Sequence, residues 1–348
     1  MQRLAIVLMN LGGPDRPEAV RPFLYNLFSD PAIIGLPALL RLPLAWLIAQ
    51  RRASVARQIY RRLGGGSPLL ANTEAQARAL EAMLGDGVRC FVAMRYWQPL
   101  TREAVQQVAQ WRPQAVLCLP LYPQFSTTTT ASSLAAWRDE AERQKFECPT
   151  RAIRCYPSVP GFIAGLADLI RPVLLKAAAD GSAPRLLLSA HGLPQKIVLR
   201  GDPYPQQIET TAEALVAELA DRGCEQIDWR VCYQSRIGPL VWIGPAIDEE
   251  IRRAGRARVP LVVAPISFVS EHSETLVELD HDYRRLAAEC GVPAYYRVPT
   301  VGTHPRFIAA LAELARQGMP GQPVSDRARG HSCGQKIAPP AGFDEISS

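Results

Sequence analysis

Several absences narrow the field before any motif is read. The 348-residue chain has eight cysteines, at positions 90, 118, 148, 155, 224, 232, 290 and 333, and no CxxC pair. Cys90, Cys118 and Cys232 fall inside apolar, strand-like runs, where cysteine serves as a small hydrophobe. The opening MQRLAIVLMNLGGPD starts as a strand and lacks the cationic segment, apolar run and cleavage site of an export signal. Together these predict a reduced, cytoplasmic setting. No lysine-rich tail and no nucleic-acid recognition motif appear, so nucleic acid is not an expected partner. The net charge of +6 then suits a membrane surface or a carboxylate-bearing ligand. Nor is there a clean spanning segment. The most apolar stretch, PAIIGLPALLRLPLAWLIA over 31–49, is interrupted by Pro37, Arg41 and Pro43. It reads either as a pair of core helices or as an exposed apolar lip, followed by Arg51 and Arg52, resting on the inner face of a membrane. The triglycine 64–66 lacks the Gly-Lys-Ser/Thr of a phosphate loop and reads as a turn into a helix near Leu69.

What is present is a globular balance, 48% apolar and 21% charged, at a length that predicts two domains. Strand-length apolar runs near 3–9, 88–94, 115–121, 151–156, 185–190, 227–233, 259–266 and 294–298 alternate with helical patterns. That alternation predicts an α/β protein with parallel sheets flanked by helices. A repeat divides the eight strands into two similar four-stranded halves. LMNLGGP (8–14) aligns with LSAHGLP (188–194), setting Leu11 opposite His191. MRYWQPL (94–100) resembles CYQSRIGPL (232–240), and LCLPLYPQFS (117–126) resembles VVAPISFVS (262–270). Ligands of such sheets bind beyond the carboxyl ends of the strands, so a cleft lined by both sets of loops is expected. The predicted divisions are a first domain over 1–158, a second over 159–303, a helix over 304–318 packing back on the first, and a tail over 319–348.

Two groups of residues invite chemistry. His191 ends a strand on a Gly-Leu-Pro turn, where a neutral imidazole can take a proton or bind a divalent metal; its other use is to satisfy backbone groups in the turn. In SEHSETLVELD (270–280) and Asp282, a helix would set Glu271, Glu274, Glu278 and Asp282 on one stripe. Like charges at that spacing cost about 0.2–0.5 kcal/mol per pair. The stripe makes sense beside cations, supplied either by Arg285 and solvent or by a divalent metal. Arginines 51, 52, 57, 61, 62 and 95 offer forks for carboxylates, and Tyr96, Trp97, Tyr122, Phe125 and Trp242 offer flat apolar faces. The threonines of 127–130 are expected to cap the following helix.

Taken together, NLGGPD, QIYRRLGGGSPL, MRYWQPL, LYPQFSTTTTASS, SAHGLP, DPYPQQ, VCYQSRIGPLVWIGP and FVSEHSETLVELD resemble the ferrochelatase family, in family order and over nearly the whole chain. The resemblance implies two Rossmann-like domains of the type II chelatase architecture, and insertion of Fe(II) into protoporphyrin IX as the last step of haem formation. It implies His191 and Glu274 as catalytic and metal-handling residues, with Glu271, His272 and Glu278 as a relay. Leu11, Arg52, Tyr60, Ser67, Arg95, Tyr96 and Trp242 match positions that line the porphyrin pocket. His191 either accepts pyrrole protons or ligates the iron with Glu274; residue type does not decide. Coproporphyrin enzymes tend to have tyrosine where Leu11 stands, which favours protoporphyrin. No cofactor is expected. Members with a [2Fe-2S] cluster use four cysteines, whereas the tail here has only Cys333 and Thr127 stands where the animal pattern has its internal cysteine. A cobalt or nickel chelatase for another tetrapyrrole, or a porphyrin carrier, are the rival readings.

Overall fold

The computed structural model describes residues 3–179, 181, 183–236, 238 and 240–318, and the backbone of 344–346. The chain divides into two compact units, Met1–Tyr156 with Leu311–Ser348, and Pro157–Ala310. The division falls at the start of the YPSVPG stretch, and the second unit ends inside the last helix.

In the first unit β1 (Leu4–Asn10), α1 (Val20–Phe28), α2 (Ala38–Arg61), α3 (Leu69–Leu84), β2 (Val88–Met94), α4 (Thr101–Trp111), β3 (Ala115–Pro120), α5 (Thr130–Arg143) and β4 (Thr150–Ile153) follow in order. The four strands are parallel in the order β2-β1-β3-β4. A short strand, Asp344–Ile346, adds to β4 as a fifth, using a part of the tail that the sequence left unread. All seven residues of β1 are buried. That is why LAIVLM is apolar rather than alternating: helices cover both faces, and the one polar residue, Asn10 at the strand's end, is bonded to Thr73 Oγ1 at 3.1 Å.

The second unit runs α6 (Pro160–Ala179), β5 (Arg185–His191), α7 (Gln195–Val198), α8 (Tyr204–Asp221), β6 (Asp228–Gln234), α9 (Ile247–Ala257) and β7 (Leu261–Pro265). A π-helix (Glu274–Asp282), α10 (Tyr283–Glu289), β8 (Tyr295–Arg297) and the first part of α11 (Pro305–Gln317), up to Ala310, complete it. Its parallel order is β6-β5-β7-β8. In both sheets the first strand lies between the second and third. Chain connections therefore leave it in opposite directions, and its carboxyl end is a switch point where ligands bind. Leu11 follows one such end; His191 closes the other.

Hydrogen bonds test the repeat residue by residue. The Leu121 amide donates to the Met9 carbonyl (2.8 Å) and the Ile266 amide to the Ser189 carbonyl (2.9 Å), which supports the Leu11–His191 equivalence. The middle match needs a correction. Met94 N–H donates to Pro99 O (2.8 Å) and Tyr233 N–H to Pro245 O (2.9 Å). Glu103 and Glu249 then accept the Leu100 and Ala246 amides in the same way. Pro99 thus corresponds to Pro245, and CYQSRIGPL is the start of a longer loop that carries Trp242.

Two further expectations change. Residues 31–49 are not a buried helix pair. After an irregular stretch, α2 buries a stripe of small residues, Ala45, Ala49 and Ala53, and leaves Leu39 89%, Leu40 61% and Trp46 57% exposed. Among the described residues no helix is long and apolar enough to cross a membrane. At the start of α5 the N-cap residue, Thr129, makes no side-chain cap bond; one turn earlier Ser126 Oγ accepts the Thr128 amide at 3.1 Å.

Candidate functional site

The carboxyl end of β5 and the π-helix after β7 bring the imidazole and the acids together inside the second unit. His191 Nδ1 lies 2.8 Å from Glu274 Oε2. The ring is steadied at its backbone, where the His191 amide donates to Ser267 Oγ (3.1 Å), and it stands edge-on to Phe268 at 6.4 Å between ring centres. Ser235, at the end of β6 with φ +62°, donates its hydroxyl to Glu278 Oε2 (2.6 Å) and to Glu274 Oε2 (3.3 Å), and its amide to Glu278 Oε1 (2.8 Å). Gln234 Nε2 donates to the Glu274 carbonyl (3.0 Å) and to Glu278 Oε2 (3.3 Å). The strained serine is fixed by these bonds, as expected where backbone strain serves a site.

Electrostatics separate the two carboxylates. Burial works to raise the Glu274 pKa, but His191 and then His272 outweigh it and hold this carboxyl well below the usual range. Burial and the adjacent Glu274 push Glu278 upward. Burial works to lower the His191 pKa, yet Glu274, helped by Glu278, raises it above the ordinary imidazole value. Two acids pushed apart beside an imidazole form an acid/base set. His272 Nδ1 donates to the Ser270 carbonyl (3.0 Å), which leaves its Nε2 facing Glu274 Oε2 at 3.8 Å.

The expected acidic stripe is divided. The segment is a π-helix, with the Tyr283 amide bonded to the Glu278 carbonyl five residues back. Glu271 precedes the helix and is bonded to Arg297 Nη1 (2.5 Å), not grouped with Glu274 and Glu278. Arg285 pairs with Glu289 rather than with the stripe. Trp242 sits in the long loop of the same unit, bridged in antiparallel fashion to Pro194. Its ring lies against Gly192, where an added Cβ would come 3.3 Å from Cε3. The Trp242 Nε1 is buried with no hydrogen-bond partner among the described residues.

The remaining predicted residues belong to the first unit. The two glycine motifs pack back to back. Ser67 N–H donates to Pro14 O (2.7 Å), and a Cβ on Gly13 or Gly66 would strike Ser67 Oγ (2.5 Å) or Asp15 O (2.4 Å) respectively. Leu11 is half-buried against the cluster that contains Tyr60 and Tyr96. Those tyrosines are core residues, 8% and 1% exposed. Arg95 lies over the Tyr96 ring at 5.0 Å and bonds to Ser132 Oγ through Nε (2.7 Å) and to Asp30 through Nη2 (2.8 Å). Asp30, 4% exposed, also accepts the Tyr96 hydroxyl (2.8 Å), the Ser132 hydroxyl and the Ala32 amide (2.8 Å). Arg52 stacks on Phe28 at 5.6 Å, and burial lowers its pKa.

Sequence reasoning missed Asp30, Ser132, Gln234, Ser235 and Arg297. A faint signal marked three of them: Asp30 is a lone acid at the mouth of an apolar run, and Gln234 and Ser235 stand at the carboxyl end of a strand.

A family model described as ferrochelatase matches residues 3–319. The chain belongs to the ferrochelatase family. That membership makes it an enzyme, a lyase that inserts iron into a porphyrin. The ferrochelatase of Caulobacter vibrioides (strain NA1000 / CB15N) is 54% identical over 339 residues, covering 96% of this chain and 95% of that one. The ferrochelatase of Phenylobacterium zucineum (strain HLK1) is 54% identical over 318 residues, 90% of each chain. Among solved structures, SirB from Bacillus subtilis with Fe3+ matches with a TM-score of 0.54 at 10% identity, covering 92% of this chain and 96% of that one. The sirohydrochlorin chelatase SirB from Bacillus subtilis subspecies spizizenii in complex with cobalt matches at 0.53 and 10%, over 91% and 95%. At such identity these two speak for the fold, the paired parallel sheets of the type II chelatases.

Proposed function

We propose that this ferrochelatase inserts Fe(II) into protoporphyrin IX, with His191 and Glu274 as the reacting pair. The contact of 2.8 Å between them, with Ser235 and Glu278 bonded behind it, carries the reading. Two pyrrole protons leave as one divalent iron enters, so the ring's charge is unchanged and the protein must dispose of two protons. His191 accepts pyrrole protons, Glu274 stabilises the imidazolium, and Glu278 is the next acceptor, with His272 beside Glu274 completing the relay. A flat macrocycle shields its nitrogen lone pairs, so binding energy from the rest of the ring is spent on bending it. Arg52, half-buried on Phe28, is assigned to the ring's carboxylates, because an arginine fork matches a carboxylate. Leu11 and Trp242 are assigned to its apolar faces.

Leu11 presents an apolar side chain where tyrosine would favour a more carboxylated ring, which supports protoporphyrin. The exposed leucines and Trp46 of α2, close to Arg51 and Arg52, support peripheral contact with the inner face of a membrane, from which an insoluble ring is taken. Iron is substrate and product constituent rather than cofactor. The reading without a cluster rests on Cys333 alone in the tail, which lies outside the described residues.

The test is anaerobic mixing of protein, Fe(II) and protoporphyrin IX, followed by the absorption of haem, with coproporphyrin in a parallel arm. Haem formed fastest from protoporphyrin is the expected result. Stoichiometric porphyrin binding without insertion would leave a carrier, and faster insertion into coproporphyrin would overturn the substrate assignment.

A further inference from the structure

A π-helix is rare and concentrates at functional sites, because its wide turn is held only where other contacts repay it. Here strand β8 supplies the holding contacts. Tyr295 Oη donates to the Leu279 carbonyl at 2.8 Å. Arg297 forks onto Asp280, Nε to Oδ1 at 2.9 Å and Nη2 to Oδ2 at 2.6 Å, and sends Nη1 to Glu271 Oε1 at 2.5 Å. The Thr300 amide adds a fourth donor to this group, on Glu271 Oε1 at 2.9 Å. The Arg297 side chain is 10% exposed, and each of its three nitrogens is engaged.

One guanidinium thus holds two acids nine positions apart. In an unbroken α-helix, nine steps of about 100° would leave them about half a turn apart, on opposite faces. Holding both from one strand is compatible with the wide helix and its loop entry, and not with a regular α-helix. Between the two anchor points lie Glu274 and Glu278, the acids that meet His191 and Ser235.

We infer that Arg297 is a positioning residue, which clamps both ends of the 271–280 segment so that Glu274 and Glu278 face His191, and which withdraws Glu271 and Asp280 from metal handling. The inference rests on the functional reading above. It also departs from the family pattern, in which Glu271 would stand on the iron path: a carboxylate bonded to a buried arginine has its charge already met.

The experiment compares full-length R297Q and R297K with the unaltered protein. It measures kcat for iron insertion, KM for Fe(II), porphyrin affinity by fluorescence quenching, and the melting temperature. Misplacing the reacting acids by an ångström or so lowers kcat by about ten- to a hundredfold in R297Q. Porphyrin affinity and KM for Fe(II) stay within about twofold, because only the chemical step is lost. R297K, able to pair with one acid but not to fork across two, falls between. A kcat in R297Q equal to that of the unaltered protein overturns the clamp, as does a large rise in KM for Fe(II) with kcat retained. Should R297Q not fold, R297K decides alone: full kcat there overturns the inference. If the unaltered protein itself makes no haem, it is the functional reading that fails and not the clamp.

Discussion

The two units share one backbone plan and differ at the positions to which the proposal assigns the chemistry. In each, the first strand lies between the second and third, and the third strand's loop returns to the first through a matching amide bond. At the switch point the first unit has Leu11 and the second His191. After the third strand the first unit turns into a regular α-helix, whereas the second has the π-helix with its carboxylates. A further difference lies between the first and second strands. The first unit inserts α1 and the lip-bearing α2 before α3, while the second has only the four-residue α7 before α8. The charges are also inverted: one buried acid, Asp30, holds a cation in the first unit, and acids surround an imidazole in the second. A shared frame therefore fixes where a ligand can be met, and a few substituted positions decide what is done to it.

The largest expected effects test the claim that chemistry sits in the second unit alone. His191→Ala should lower iron insertion by about a hundredfold to ten-thousandfold, the usual worth of a positioned acid/base group. Porphyrin binding, read by fluorescence, should survive. Equal turnover in that variant would remove the distinction between the units. Asp30→Ala is the corresponding cut in the first unit. It strands Arg95, Tyr96 and Ser132 in a buried setting and should cost about 3–5 kcal/mol in urea unfolding, as when one partner of a buried ion pair is removed. A cost below about 1 kcal/mol would mean that solvent takes over the role of Asp30.

Most of this frame was legible in the sequence, because buried parallel strands must be apolar runs and the runs are bounded by turn residues. β2, for instance, lies where the run at 88–94 was read. His191 drew notice from its place at a strand's end, whereas Glu274 was one of four acids in a stripe and only the family resemblance set it apart. What escaped has physical reasons. The π-helix and the α-helix ask for the same residue types, so periodicity could not tell that Glu271 leaves the group of Glu274 and Glu278. Arg297 is one arginine among many, and only the fold carries β8 to Glu271 and Asp280. The lip was ambiguous because an apolar helix reads alike whether its leucines face a core or the outside; the alanine stripe 45, 49 and 53 was the available clue.

A subtler effect concerns the proton on His191. Its pKa lies above the ordinary 6.5, so the charged His191–Glu274 pair is fully formed below that value. Its contribution to stability is lost as pH rises through the folded-state pKa. Because a proton acceptor must first be neutral, the insertion rate should rise with pH through the same range. Glu274→Gln removes the main group that raises the value, and burial then dominates. An NMR titration of the imidazole should accordingly move to lower pH in that variant. An unchanged midpoint would show that Glu274 does not govern the charge on His191.

The smallest effect on the folded state, and the one that bears on the inserted helices, concerns the lip. Leu39 and Trp46 are largely exposed, so Leu39→Glu and Trp46→Glu should each alter unfolding stability by no more than about 0.5 kcal/mol. Their expected consequence lies at a surface. Apolar side chains that enter the headgroup boundary contribute binding in proportion to buried area, and a carboxylate there also repels anionic lipid. Co-sedimentation with anionic vesicles should therefore fall in both variants, while insertion into detergent-dispersed protoporphyrin proceeds at the unaltered rate. Vesicle binding that persists in the double variant would detach the lip from any membrane role, and the insertion in the first unit would then need a different explanation.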